Sequence, residues 1–358
     1  MQSSSTTFVG AVDGGSARPI GLADGYAELE PAFTVPTDLF IRLARTSPER
    51  LQQDFLDCFQ TVSGEQVAVE DALFLPSASM AISVIGRRLA AEGIRRVGVP
   101  SPSFDSLPRL LSEAGLEPVA VPESDAQLLA AAAELDALYL VLPNNPSGWT
   151  PSDETLEQVA ALARTRRCPV VIDRTCRFHQ QRQYSSLFEL DFDWIDIQDT
   201  GKTWSTAGAK VSFVRSRSSL RLAALREDLD VHLRAVPLVN YWVAAAAIRA
   251  EHGLERLRET VRVNLEQLER SILGPLGFEL VSQPLGVALL RLPQDCAMHS
   301  AHLAEKLGIA GISVMPGREF YWAAPEAGQA YLRLALVRPA PAFRASTEAL
   351  AEAIRSLI

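Results

Sequence analysis

Lysine is so scarce in this chain that its placement carries information. Only Lys202, Lys210 and Lys306 stand against thirty-one arginines, and two of the three fall in one stretch, DTGKTWSTAGAK, residues 199–210. Arginine supplies a permanent cation and a forked donor. It does not readily become a nucleophilic amine, whereas lysine can. Amine chemistry at this stretch is one reading, and two solvated lysines on a turn is the other. Upstream, VVIDR closes an apolar run with Asp173, a carboxylate that is costly to bury without a cationic partner. PNNPSG contains a turn that would aim the Asn145 amide into a cleft, or is a plain loop. LPSASMAISVIGRRLA sets Ser77, Ala78 and Ser79 at a helix start. Free N–H groups and the positive dipole end there suit an anion such as phosphate, although serine is also an ordinary helix cap.

The elements that must position these residues alternate. ALFLP (72–76), RRVGVP (95–100), ALYLVLP (137–143), PVVID (169–173), WIDIQD (194–199) and VSFVRS (211–216) are short apolar runs, most of them separated by helical stretches such as DETLEQVAALARTRR. That pattern predicts an α/β fold with a mostly parallel sheet covered on both faces, whose active groups sit at the strand C-terminal ends. Asn145, Asp173 and Lys202 all fall just there. Residues 1–45, rich in Ser, Gly and Pro, read as an arm, followed by a large unit over 46–235. Residues 236–358 form a smaller α+β unit with the runs FELVS, GVALLRL, ISVMPG and YLRLAL.

Composition narrows the function classes. A hydrophobic fraction of 47% describes a globular protein with ample core, and a net charge of −9 with no basic run argues against nucleic acid. The four cysteines are scattered without metal-ligand spacing, which fits a reducing compartment and no structural zinc. No secretion signal and no run of about 18 apolar residues is visible, so the expectation is a cytoplasmic protein that does not cross a membrane.

Taken together, Asn145-Pro146-Ser147-Gly148, Asp173 and Lys202, spaced by 28 and 29 residues, resemble the aspartate-aminotransferase-like (fold type I, class I/II) pyridoxal-phosphate enzymes. The resemblance runs from about residue 70 to the C-terminus. It implies that Lys202 forms the Schiff base with pyridoxal 5′-phosphate and that Asp173 keeps the pyridine nitrogen protonated, so that the ring acts as electron sink. It also implies that Asn145 donates to the ring's phenolic oxygen, that Phe104 stacks on the ring, and that Lys210 joins Ser77, Ala78 and Ser79 at the phosphate. Arg333 in YLRLAL matches the arginine that clamps the substrate α-carboxylate. A homodimer is implied as well.

Three positions depart from an ordinary transaminase. Asp199 replaces the Ser or Thr that touches phosphate, and Cys176 replaces a Tyr that donates to the phenolic oxygen. The Tyr that reaches phosphate across a dimer has no clear match. The stretches GLADGYAELEP, SASMAISVIGRRL, PSFDSLPRLL, DTGKTW and EFYWAAP are similar to the pyridoxal-phosphate-dependent L-arginine oxidases/hydroxylases of natural-product biosynthesis. Those enzymes use dioxygen on an electron-rich quinonoid, and their arm offers a His where this chain has Tyr26. The implied reaction is oxygen-dependent chemistry at Cα of a cationic amino acid, or a related elimination or cyclisation. The alternative is a class I/II aminotransferase, and a catalytically silent member of the fold is a third reading. A carboxylate beside phosphate would be repelled, so Asp199 is expected to point elsewhere and, with Asp24 of the arm, to read the substrate's cationic side chain; the alternative is that Asp24 caps a short helix and Asp199 bonds backbone N–H groups.

Overall fold

The computed structural model describes residues 20–29, 33–180, 184–232, 236–250 and 254–357. In chain order the first part contains β1 (Ile20–Gly21), α1 (Leu39–Ala44), α2 (Pro48–Ser63), β2 (Leu73–Leu75), α3 (Ala78–Ala91) and β3 (Arg96–Ser101). It continues through α4 (Leu107–Glu113), β4 (Glu117–Pro122), α5 (Asp125–Glu134), β5 (Ala137–Val141) and α6 (Asp153–Arg166). Then come β6 (Val170–Asp173), β7 (Trp194–Asp199), β8 (Ser212–Ser216) and α7 (Ser219–His232). Seven strands make one sheet in the order β2-β8-β7-β6-β5-β3-β4. Every residue of β5 and β6 is buried, as expected for central strands with helices on both faces.

Only β8 runs against the rest. The connection from Asp199 to Ser212 holds a single short 3-10 turn and no helix long enough for a crossover, so the chain doubles back beside β7. The other six strands deliver their C-terminal loops to one edge, where the loops after Leu75, Ser101, Val141, Asp173 and Asp199 meet. Beneath that edge a buried ionic network fastens the sheet to the segment after α2. Arg174 bonds Asp196 and Glu65, Arg215 bonds the same two carboxylates, and Arg177 bonds Glu65 at 2.5 Å. Charges this deep persist only when paired.

The second part contains α8 (Leu238–Ala250), α9 (Glu255–Leu268), α10 (Gly274–Leu276), β9 (Glu279–Leu280), β10 (Val287–Arg291) and α11 (Ser300–Ile309). It ends with β11 (Ile312–Ser313), β12 (Met315–Pro316), β13 (Tyr331–Ala335) and α12 (Ala340–Leu357). Helix α8 packs its Tyr241, Ala244 and Ile248 into the same cluster as Phe55 and Phe59 of α2. Strands β12-β13-β10-β9 form an antiparallel sheet, and Leu268, Leu290, Leu303, Leu332 and Phe343 make its core with α9, α11 and α12.

The described part of the arm joins both units. β1 pairs in parallel with β11, and Ala335 N donates to Leu22 O at 2.8 Å. Beyond that, Ala27 N bonds Gly201 O, Glu28 N bonds Val337 O, and Leu29 N bonds Ser205 Oγ at 2.6 Å. The remaining arm residues, 1–19 and 30–32, lie outside the described residues. No helix among the described residues is long and apolar enough to cross a membrane.

Candidate active site

Asp173 ends β6 at 2% exposure, and its cost of burial is met by neutral donors alone. Oδ2 accepts from the Tyr139 hydroxyl at 3.1 Å and Oδ1 from Thr175 N at 3.0 Å. Burial raises its pKa, and the nearby Asp199 charge adds to the rise. No Lys or Arg of the described residues pairs with it. A buried carboxylate of this kind is suited to a cation brought by a ligand. Asn145, in the loop after β5, is buried, and its Oδ1 has no partner among the described residues. Its neighbour Asn144 anchors that loop by donating to Pro102 O at 2.7 Å and to Glu123 at 2.6 Å. Cys176 is buried too, and burial pushes its thiol up to about 12, so it stays uncharged. Phe104 is half-buried in the loop after β3, packed on the apolar cluster beneath.

Lys202 follows β7, with Nζ 3.7 Å from the centre of the Tyr26 ring. Lys210 Nζ donates to the Tyr26 hydroxyl at 2.8 Å. The phenol of the arm therefore lies between the two lysines named at the outset. Gly25 brings the arm backbone so close that a Cβ there would stand 3.8 Å from Lys202 Nζ and from an Arg333 nitrogen.

At the start of α3, Ser77 caps Met80 N through Oγ, and Ser79 is exposed. The Ala78 N–H is taken by Asp199 Oδ2 at 3.0 Å, while Asp199 Oδ1 accepts from Gly201 N at 2.7 Å. The helix start thus does hold an anion, and the anion is Asp199. Two backbone donors within reach of a short side chain at the strand end turn it inward rather than away. Burial raises its pKa, opposed by the Lys210 charge and the two backbone bonds. Asp24 is exposed, and its Oδ1 accepts from Tyr26 N at 3.0 Å.

Arg333, on β13, is buried with its guanidinium over the Phe320 ring, and burial lowers its pKa. One of its terminal nitrogens bonds Ala23 O of the arm, and Nε has no partner among the described residues. Sequence reasoning missed Arg338 and His179. Arg338 donates to the arm carbonyls of Gly21 (3.2 Å), Asp24 (2.6 Å) and Tyr26 (2.7 Å). Its one signal was a second arginine five residues beyond Arg333. His179, three residues beyond Cys176, bonds the Lys202 carbonyl.

The aminotransferase class I and II family model matches residues 44–341. The chain belongs to that family. Over 323 residues it is 28% identical to histidinol-phosphate aminotransferase 2 of Burkholderia pseudomallei, covering 83% of this chain and 86% of the relative. A probable N-acetyl-LL-diaminopimelate aminotransferase of Bacillus subtilis is 24% identical over 282 residues, covering 75% of this chain and 69% of the relative. In fold the chain is similar to a structure of MppP soaked with the product 2-ketoarginine, with a TM-score of 0.80 and 22% identity over 92% of this chain and 98% of that one. It is also similar to a mutant Thermus thermophilus aspartate aminotransferase, with a TM-score of 0.74 and 20% identity over 96% and 100%.

The cofactor of this family member is pyridoxal 5′-phosphate. The residues fit it at the ring end, where a buried carboxylate without a cation, a buried amide and a lysine amine are brought together. For its phosphate the donors on offer would be Lys210 and the first turn of α3, where the Ala78 N–H is already taken by the Asp199 carboxylate.

Proposed function

We propose that this enzyme acts at Cα of a cationic L-amino acid, arginine or a close relative, with dioxygen as electron acceptor. The amino acid would lose two electrons and, with water, become a 2-oxo acid and ammonia. Dioxygen would take the two electrons with two protons and leave as hydrogen peroxide. In this reading Lys202 carries the cofactor, Asp173 faces the ring nitrogen, and Asn145 and Cys176 face the ring oxygen. Phe104 covers the ring, and Lys210 with Ser77, Ala78 and Ser79 holds phosphate. Arg333 reads the substrate carboxylate, while Asp24 and Asp199 supply negative charge for its side chain. The cofactor, when bound, supplies the electron sink for charge developing at Cα.

The observation that carries this reading is the arm seated across Lys202. A transaminase must open midway through its cycle to exchange one oxo acid for another, whereas an oxidase must admit only dioxygen before its own oxo acid leaves. A site roofed by Gly25 and Tyr26 suits a second substrate as small as dioxygen. The likeness to MppP supports it further. The curated relatives favour a second reading, transfer of the α-amino group to a 2-oxo acid. Incubating the loaded protein with each L-amino acid, with and without oxygen or an oxo-acid acceptor, separates the two. Oxygen uptake with arginine is expected, and anaerobic amino transfer at a comparable rate would refute the oxidase. Asp199→Asn should weaken the preference for arginine over neutral citrulline by about 1–3 kcal/mol. An undiminished preference would remove Asp199 from side-chain recognition. We also propose a homodimer, with the exposed apolar Val35, Phe40 and Ile41 near α1 as part of its contact surface, testable by sedimentation.

A further inference from the structure

His179 takes no part in the roles proposed above, yet its position is closely specified. Its Nε2 lies 3.0 Å from the carbonyl oxygen of Lys202. A carbonyl only accepts, so Nε2 carries the proton and Nδ1 is the basic nitrogen. Nδ1 is shut from solvent and has no partner among the described residues. Burial pulls the imidazole pKa down to about 4, against the smaller raising effect of the bond to Lys202, and the ring is neutral at physiological pH. A proton relay would need a titrating nitrogen open to the site. Here one nitrogen is committed to a carbonyl and the other is sealed.

The space for the ring is made by a missing side chain. A Cβ at Gly286 would stand 2.7 Å from His179 Cε1 and 2.9 Å from Nε2. Gly286 is not in the left-handed region, so its lack of a Cβ serves its neighbours, the imidazole most closely and then Val337 Cγ2 at 3.1 Å. Gly286 O accepts from Leu336 N, three residues beyond Arg333. On the other side, among the described residues no group except His179 donates to the Lys202 carbonyl. The N–H of that same peptide, on Thr203, donates to Thr200 O at 3.3 Å, which leaves His179 as the tether at its carbonyl end.

We propose that His179 is a positioning residue, a neutral donor that fixes the Lys202 peptide against Gly286 and so fixes the reach of the reacting amine. The ring couples that amine to the strand pair carrying Arg333. The lever is long: a peptide tilt of roughly 5° moves an amine about 6 Å away by about 0.5 Å, and since a misplacement of about 1 Å costs on the order of 100-fold in rate, this one costs about tenfold.

The inference rests on Lys202 being the cofactor lysine, and the test keeps the two apart. Lys202→Ala addresses that reading alone, through loss of the visible absorbance of the loaded enzyme. His179→Phe keeps the volume and removes the donor. It should retain the visible absorbance, shift the pH at which that absorbance titrates by about one unit, and lower kcat about tenfold with KM little changed. His179→Gln, whose amide N–H can reach the same carbonyl, should restore most of both. His179→Asn, one methylene shorter, takes the place of the Phe variant if that one does not fold, with the same expectations. Parent titration and kcat in the Phe variant, or in the Asn variant whose amide is too short to reach the carbonyl, or no recovery with Gln, would overturn the proposal.

Discussion

Replacing Arg338 with Ala should free the arm while leaving the rest of the fold in place. Arg338 is 5% exposed, and its guanidinium makes three bonds to arm carbonyls, of Gly21, Asp24 and Tyr26. Its contact with Glu28 at 3.1 Å adds little, because that carboxylate is 56% exposed and screened. Three bonds at about 1 kcal/mol each give about 3 kcal/mol of arm closure, a factor of roughly 100 in the opening equilibrium. Amide hydrogen exchange reads this directly. The N–H groups of Ala27, Glu28 and Leu29 bond Gly201 O, Val337 O and Ser205 Oγ, and they exchange only when the arm lifts. Their exchange should quicken about 100-fold, while Leu138 N, bonded to Pro169 O in the buried sheet, keeps the parent rate. Arg338→Lys should fall between, since one ammonium cannot meet three separated carbonyls. Arm amides as protected as in the parent would refute the latch. Equal loss of protection at Leu138 would show general destabilisation instead.

Lys202→Ala should abolish the visible absorbance of the loaded protein and its turnover with the fold intact by circular dichroism; comparable activity would exclude this amine. Arg333→Ala should raise KM for every α-amino acid alike, by about 1–3 kcal/mol, because it reads the part all of them share. A side-chain-selective effect in a panel of amino acids would assign it another role. His179 should make stability depend on pH. Its pKa falls from 6.5 to about 4 on folding, so below 6.5 the unfolded chain binds the extra proton and stability drops as pH falls, levelling near 4. Urea unfolding should show a slope of up to about 1.4 kcal/mol per pH unit from this residue, absent in His179→Gln.

The shared placement of the candidate site residues was legible because Asp173 closes an apolar run, and Asn145 and Lys202 closely follow two others. Parallel strands place such residues on one edge of a sheet whatever the loops do. The scarcity of lysine marked the stretch from 199 to 210 without any structure. Strand direction was less legible: β8 reads like its neighbours in composition, and its reversal follows from the lack of a crossover helix. The contacts that give the site its character join residues far apart in the chain. Asp199 meets Ala78 across 121 positions, Tyr26 meets Lys210 across 184, and Arg338 meets the Tyr26 carbonyl across 312. Local periodicity records which face of an element is buried, and says nothing about which loop meets which. The second arginine after Arg333 was visible in the sequence, but which carbonyls Arg338 holds, or where His179 aims its donor, leaves no trace in side-chain pattern. Those pairings arise when the two sheets and the arm pack together.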